Sequence, residues 1–288
     1  MNNQYLIIMR KLLYPLTLIL CFGLSFSAKA QTCCDMSATS QFAALSGDDT
    51  FKSSHLEPED FVLQNRMGED ITFECADGKP GMAYFIESEE PSDKYLFVFQ
   101  EWWGLNDHIR EKAEKYYRDL ENVNVMCLDL YDGKNTTDRE KAGQLMKNAD
   151  EERIRTIISG AIDHVGSDAE IATLGWCFGG GWSLQATIML EEQAAGCVMY
   201  YGMPEKEMSQ IKKIETEVLG IFASQDDWIN PEVVGNFEAK MEEAGKTLSV
   251  HSFDADHAFA NPSNPVYDKQ ATAEAYDLSI SFLQSQFE

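Results

Sequence analysis

Basic residues are scarce in this chain: 23 lysines and arginines face 48 aspartates and glutamates, giving a formal charge of −25. Such a surface repels phosphate backbones, so nucleic acid and anionic membrane faces are not expected partners. No H-E-x-x-H and no paired C-x-x-C pattern occurs, and His55, His108, His164 and His251 do not form a metal motif. A dinucleotide-binding glycine pattern is also missing, because the glycine-rich turn of this chain carries a cysteine in its middle. No cofactor and no metal are therefore expected. After residue 30 there is no apolar run long enough to span a bilayer. Internal repeats, low-complexity blocks and interdomain linkers are absent as well.

What is present begins with a leader. Arg10 and Lys11 precede an apolar core over 12–26, and Ala28-Lys29-Ala30 reads as a cleavage site. Residues 1–30 are thus expected to be a signal peptide, and the protein to be exported, periplasmic or secreted. Lipoprotein anchoring is less favoured, since neither Cys21 nor Cys33 follows the small residue that such processing prefers. Removing 1–30, with its three basic and no acidic residues, gives a charge of (23 − 3) − 48 = −28 and leaves 288 − 30 = 258 residues. That length suits one large domain. Export permits disulfides, and Cys33-Cys34 reads as a tether or disulfide site. Cys75, Cys127 and Cys197 lie in or beside apolar runs, as small core residues do.

Residues 31–65 lack strong periodicity and read as a loose lead-in; 66–288 read as the folded domain. Apolar runs over 82–87, 95–100, 123–128, 171–176, 196–201, 218–223 and 248–253 predict strands. Amphipathic stretches over 107–120, 139–148, 152–165, 183–190 and 272–284 predict helices. A further helix opens at Asn230-Pro231, with a cap and a proline in its first turn, and closes at Gly245. Alternation of this kind predicts an α/β fold, a mostly parallel sheet with helices on both faces.

The turn Gly175-Trp176-Cys177-Phe178-Gly179-Gly180 follows one such strand and precedes a helix. That is the nucleophile-elbow pattern, with cysteine where serine is usual. A thiol at a helix N-terminus gains from free N–H groups and from the positive end of the dipole. Asp226 and His257 follow in order, each after a strand-like run, so acid and base candidates sit at strand ends. Asp227 competes with Asp226 on sequence alone, and Asp256 reads as a turn residue positioning His257.

These segments, together with Gln100-Glu101-Trp102-Trp103-Gly104-Leu105-Asn106, Asp129-Leu130-Tyr131 and His257-Ala258-Phe259, resemble the dienelactone hydrolase family of α/β-hydrolases over roughly 68–286. The resemblance implies ester or lactone hydrolysis by a Cys177–His257–Asp226 triad through an acyl-enzyme. It implies an oxyanion hole of the Trp102 and Phe178 backbone N–H groups, and a Glu101 that contacts the resting cysteine. The alternative for Glu101 is a structural ion pair with an arginine. All five tryptophans fall in or beside the motif segments. Trp102 and Trp228 are expected to face a small-molecule substrate, with Trp103 a further pocket candidate, while Trp176 and Trp182 pack around the elbow. One departure stands out: Gly133 and Asn261 occupy the places where the family's enzyme carries two substrate-holding arginines.

Overall fold

The computed structural model describes residues 36–288, and the leader and Cys33-Cys34 lie outside the described residues. Eight strands form one sheet in the order β1-β2-β4-β3-β5-β6-β7-β8. They are β1 (Glu69–Phe73), β2 (Gly81–Ile86), β3 (Lys94–Phe99), β4 (Asn124–Leu128), β5 (Glu170–Trp176), β6 (Ala194–Tyr200), β7 (Val218–Ala223) and β8 (Leu248–Phe253). β1 runs antiparallel to β2 and β2 to β4; every other pairing is parallel. The sheet is thus mostly parallel, as expected, with an antiparallel edge that includes β1, a strand the apolar pattern does not mark. Its burial shows why: of the five β1 residues only Phe73 is buried.

The central strands are buried along nearly their whole length, because helices cover both faces. In β5, Thr173 turns toward α6 (Phe178–Leu190) and bonds the Ser183 carbonyl, while Trp176 turns the other way, onto Tyr116 of α3 (Asp107–Asp119). Tyr200 of β6 reaches α9 (Lys269–Gln286), bonding the Ala275 carbonyl and Ser279. α5 (Glu151–Val165) begins at the Asp150 cap and joins the α6 face, where Arg155 bonds Gln185. The helix opening at Asn230-Pro231 forms as expected: α8 (Pro231–Ala244) is capped by the Asn230 side chain and ends at Gly245 in the left-handed region.

The described part of the lead-in is more ordered than its sequence suggests. It holds α1 (Ala38–Ala44) and α2 (Asp49–Ser54), joined by one turn of 3₁₀ helix. Ser37 and Asp48 cap them. Such short helices are marginal alone and draw stability from tertiary contacts. Here Ser37 and Ser40 donate to Glu151 of α5, and Phe42 and Phe51 are buried. α4 (Arg139–Lys147) packs alongside, with Lys52 paired to Glu140. No helix among the described residues is long and apolar enough to cross a membrane.

Candidate active site

The site collects at the carboxyl ends of β3, β5, β7 and β8. Cys177 directly follows β5 and caps α6 with φ 58° and ψ −118°. A non-glycine residue in that region is strained, and the surrounding chain must hold it there. It does so through close backbone packing. A Cβ on Gly175 would lie 2.1 Å from the Gly179 carbonyl oxygen, and one on Gly179 would lie 2.3 Å from that of Phe99. The Cys177 N–H is tied to the Tyr200 carbonyl at 3.0 Å. The sulfur therefore projects at the start of α6, beside the Phe178 N–H.

Asp226 lies just beyond β7. Its Oδ1 accepts from the Trp228 and Ile229 N–H groups, both at 2.8 Å, and its Oδ2 lies 2.6 Å from His257 Nδ1. Asp227, the neighbouring candidate, is exposed, and so is Asp256. Geometry thus separates what the sequence leaves adjacent. Burial works against the Asp226 charge, yet His257 and the two N–H groups outweigh it and hold the carboxyl below its usual range. Burial likewise opposes charge on His257, but the Asp226 carboxylate and the nearby thiol push the imidazole up to about 10. Burial pushes the Cys177 thiol up, with His257 pulling the other way.

Nδ1 of His257 is committed to Asp226, and its Nε2 is buried with no hydrogen-bond partner among the described residues. A ring nitrogen of His257 and the Cys177 sulfur lie within 4.8 Å of one another. Sulfur and imidazole are thus near, with no hydrogen bond between them.

Glu101 follows β3 and is buried. Its Oε1 pairs with Lys112 at 3.2 Å and its Oε2 accepts from Asn261 at 2.8 Å. The partner is a lysine, not an arginine, and Asn261 is occupied by this bond. Of the tryptophans, Trp102 is fully buried, Trp103 is buried against it at 4.8 Å between rings, and Trp228 is half-buried, edge-on to His257 at 5.8 Å. Cys127 and Cys197 are buried and Cys75 half-buried, and all three are free thiols. Gly133 has φ 84° and gives its N–H to Asp129.

Sequence reasoning missed the contribution of the lead-in. α2 lies over the site: Phe51 packs on Trp102, Trp228, His55 and His257, with ring centroids 4.4–5.9 Å apart. Phe42 of α1 touches His257 from another side, at 6.1 Å. His55, which belongs to no local motif, is carried to within 4.8 Å of Cys177 and His257. The available signals were the capping residues Ser37 and Asp48, followed by isolated phenylalanines. Cys177, His257 and His55 are each at most 4% exposed, so the sulfur is covered.

Burial pushes the His55 imidazole down to about 3, and the charge of His257 adds to this. The ordinary value of an unfolded histidine is about 6.5. Above that value neither state binds the proton; below it the unfolded chain binds the proton first, so stability falls as pH drops toward 3. The slope from this group reaches about 1.4 kcal/mol per pH unit. Urea melts at pH 7 and pH 4.5 should show the wild type losing roughly 2–3 kcal/mol more than His55→Asn. Equal losses in both proteins would mean that His55 is not buried in the neutral form.

A family model described as the dienelactone hydrolase family matches residues 82–287. The carboxymethylenebutenolidase 1 of Cupriavidus pinatubonensis is 26% identical over 215 residues, covering 70% of this chain and 90% of that protein. Protein usf of Aquifex pyrophilus is 25% identical over 202 residues, 66% of this chain and 87% of that protein. Among solved structures, a dienelactone hydrolase-like promiscuous phosphotriesterase from metagenomic libraries superposes with a TM-score of 0.66 at 19% identity, covering 76% of this chain and 99% of that one. The match over 82–287, on a mostly parallel eight-stranded sheet, places this chain in the dienelactone hydrolase family, with its hydrolase fold.

Proposed function

We propose that the protein cleaves a carboxylic ester or lactone through an acyl-enzyme on Cys177, with His257 as acid and base and Asp226 as its orienting partner. The observation that carries this reading is the Asp226–His257 bond at 2.6 Å, with the free side of the imidazole turned toward a thiol at a helix N-terminus. Cys177 attacks the carbonyl carbon as its proton passes to His257. The tetrahedral oxyanion is held by the Phe178 N–H and by the backbone at Trp102. His257 then gives its proton to the leaving alkoxide, and water, deprotonated by the same imidazole, releases the acid. Asp226 stabilises the imidazolium without itself taking the proton.

The substrate class is a small uncharged or weakly polar acyl compound. Asn261 is engaged with Glu101, and Gly133 has no side chain, so neither offers the charged fork that grips a carboxylate. Trp102, Trp103 and Trp228 supply aromatic walls. Because α1 and α2 cover the sulfur, substrate entry requires that segment to shift. An exported enzyme is part of the same proposal, carried by the leader-like residues 1–30.

The test is turnover of a panel of aryl esters and lactones by the reduced protein. Steady hydrolysis of at least one class supports the reading. No turnover across the panel would overturn it.

A further inference from the structure

His55 is the residue of this site that hydrolysis does not use. It lies upstream of the family match, at the C-terminal end of α2, and is 3% exposed. Its Nδ1 lies 2.7 Å from the Phe51 carbonyl. That oxygen can only accept, so Nδ1 carries the hydrogen and Nε2 presents a lone pair. His257 is arranged the same way in its neutral form: Nδ1–H faces Asp226, and Nε2 is the free nitrogen. Both Nε2 atoms are buried with no partner among the described residues. The neutral His55 leaves a buried acceptor unpaired beside a thiol, which is costly unless something takes its lone pair, and the His257 Nε2 offers a second lone pair once its proton has left.

We propose that His55, His257 and Cys177 form a His₂Cys site for a thiophilic metal ion of the Zn²⁺ class, and that a bound ion removes Cys177 from catalysis.

Several features fit such an ion. Two imidazoles and a thiolate are its preferred donors. Each imidazole has the outer partner typical of a metal-bound histidine, a carboxylate for His257 and a backbone carbonyl for His55. The three donor atoms lie within 4.8 Å of one another. Tetrahedral bonds of about 2.0–2.3 Å place donors roughly 3.3–3.7 Å apart, so binding draws the three together by up to about 1.5 Å. His55 is carried by α2, a single six-residue helix, and Cys177 by the backbone-fixed elbow, so that contraction falls on α2. Coordination involves no oxidation. The thiol proton, and that of His257 where it is charged, leave to solvent, five of the six waters of the aqua ion leave, and three bonds to protein form. The fourth position stays open to water.

The inhibitory consequence rests on the hydrolase reading; the metal site itself does not. The protein is reduced, stripped with a chelator and titrated with Co²⁺, which reports thiolate ligation by a near-ultraviolet charge-transfer band and tetrahedral geometry by its visible bands. Wild type should show both, and Zn²⁺ should displace them. His55→Asn keeps the bond to Phe51 through its amide N–H but lacks the second nitrogen. It should weaken Zn²⁺ binding at least ~100-fold, beyond the 10–100-fold typical of losing an outer partner. Cys177→Ala should bind without the charge-transfer band. Zn²⁺ should also suppress ester turnover reversibly in wild type, and need at least ~100-fold more ion in His55→Asn. Near-ultraviolet circular dichroism of each variant verifies the fold.

A wild type with no charge-transfer band overturns the proposal, and so does a folded His55→Asn that binds as tightly as wild type. Turnover without the band would leave the hydrolase standing and remove the metal. The band without turnover would do the reverse.

Discussion

Cys177→Ala should lower ester turnover by at least ~1000-fold while leaving the protein folded. On the proposed mechanism the sulfur is the nucleophile, at the strained N-cap of α6. Alanine removes it and relieves nothing that holds the elbow, since the turn is fixed by backbone contacts at Gly175 and Gly179 and by the bond from the Cys177 N–H to Tyr200. The residual rate would come from the oxyanion donors and from binding alone. Initial rates on the best ester of the panel, with thermal melts of both proteins, make the comparison. A variant retaining a tenth of the activity would mean that some other group is the nucleophile.

Asp226→Asn should cost ~10³–10⁴-fold in kcat at neutral pH, close to the loss of the nucleophile itself. An asparagine can still accept from the Trp228 and Ile229 N–H groups through its carbonyl oxygen. Its amide then faces His257 Nδ1 with N–H against N–H. The imidazole must turn over its tautomer, which places a hydrogen on the nitrogen that should take the thiol proton. A second readout follows from the charge removed. Asp226 is what offsets burial at His257, so the imidazole should titrate well below about 10 in the variant. NMR of the His257 ring measures this directly. Loss of activity with an unchanged titration would mean that the carboxylate acts elsewhere than on His257.

How far the sequence carries depends on whether a feature is local. The elbow pattern is compact in sequence: Gly175 is dictated by a contact within the turn and Gly179 by the end of the neighbouring strand β3, yet both glycines fall in one short run. The strand end bearing Asp226 is legible because β7 is a buried, continuous apolar run, whereas β8, which leads to His257, lies at the sheet edge and shows itself only by alternation. The choice between Asp226 and Asp227 is not local. It depends on which carboxylate turns inward under Trp228 and Ile229 toward a histidine in the loop after β8. The edge strand β1 is mostly exposed and carries little apolar signal. The segment over 36–55 is illegible for a third reason: α1 and α2 are too short to show a period and are held by partners far along the chain, such as Glu151 and Trp102. With them went the position of His55, a lone histidine in a polar stretch whose surroundings exist only in the fold.

The most direct test of the account is to catch the acyl-enzyme. The reduced protein is mixed with a slow aryl ester, quenched in acid and weighed intact, then digested to locate the added mass. The account expects a burst of phenol equal to the enzyme present and one acyl group, carried on the peptide containing Cys177. Hydrolysis with no covalent adduct, or an adduct on any other residue, would contradict it.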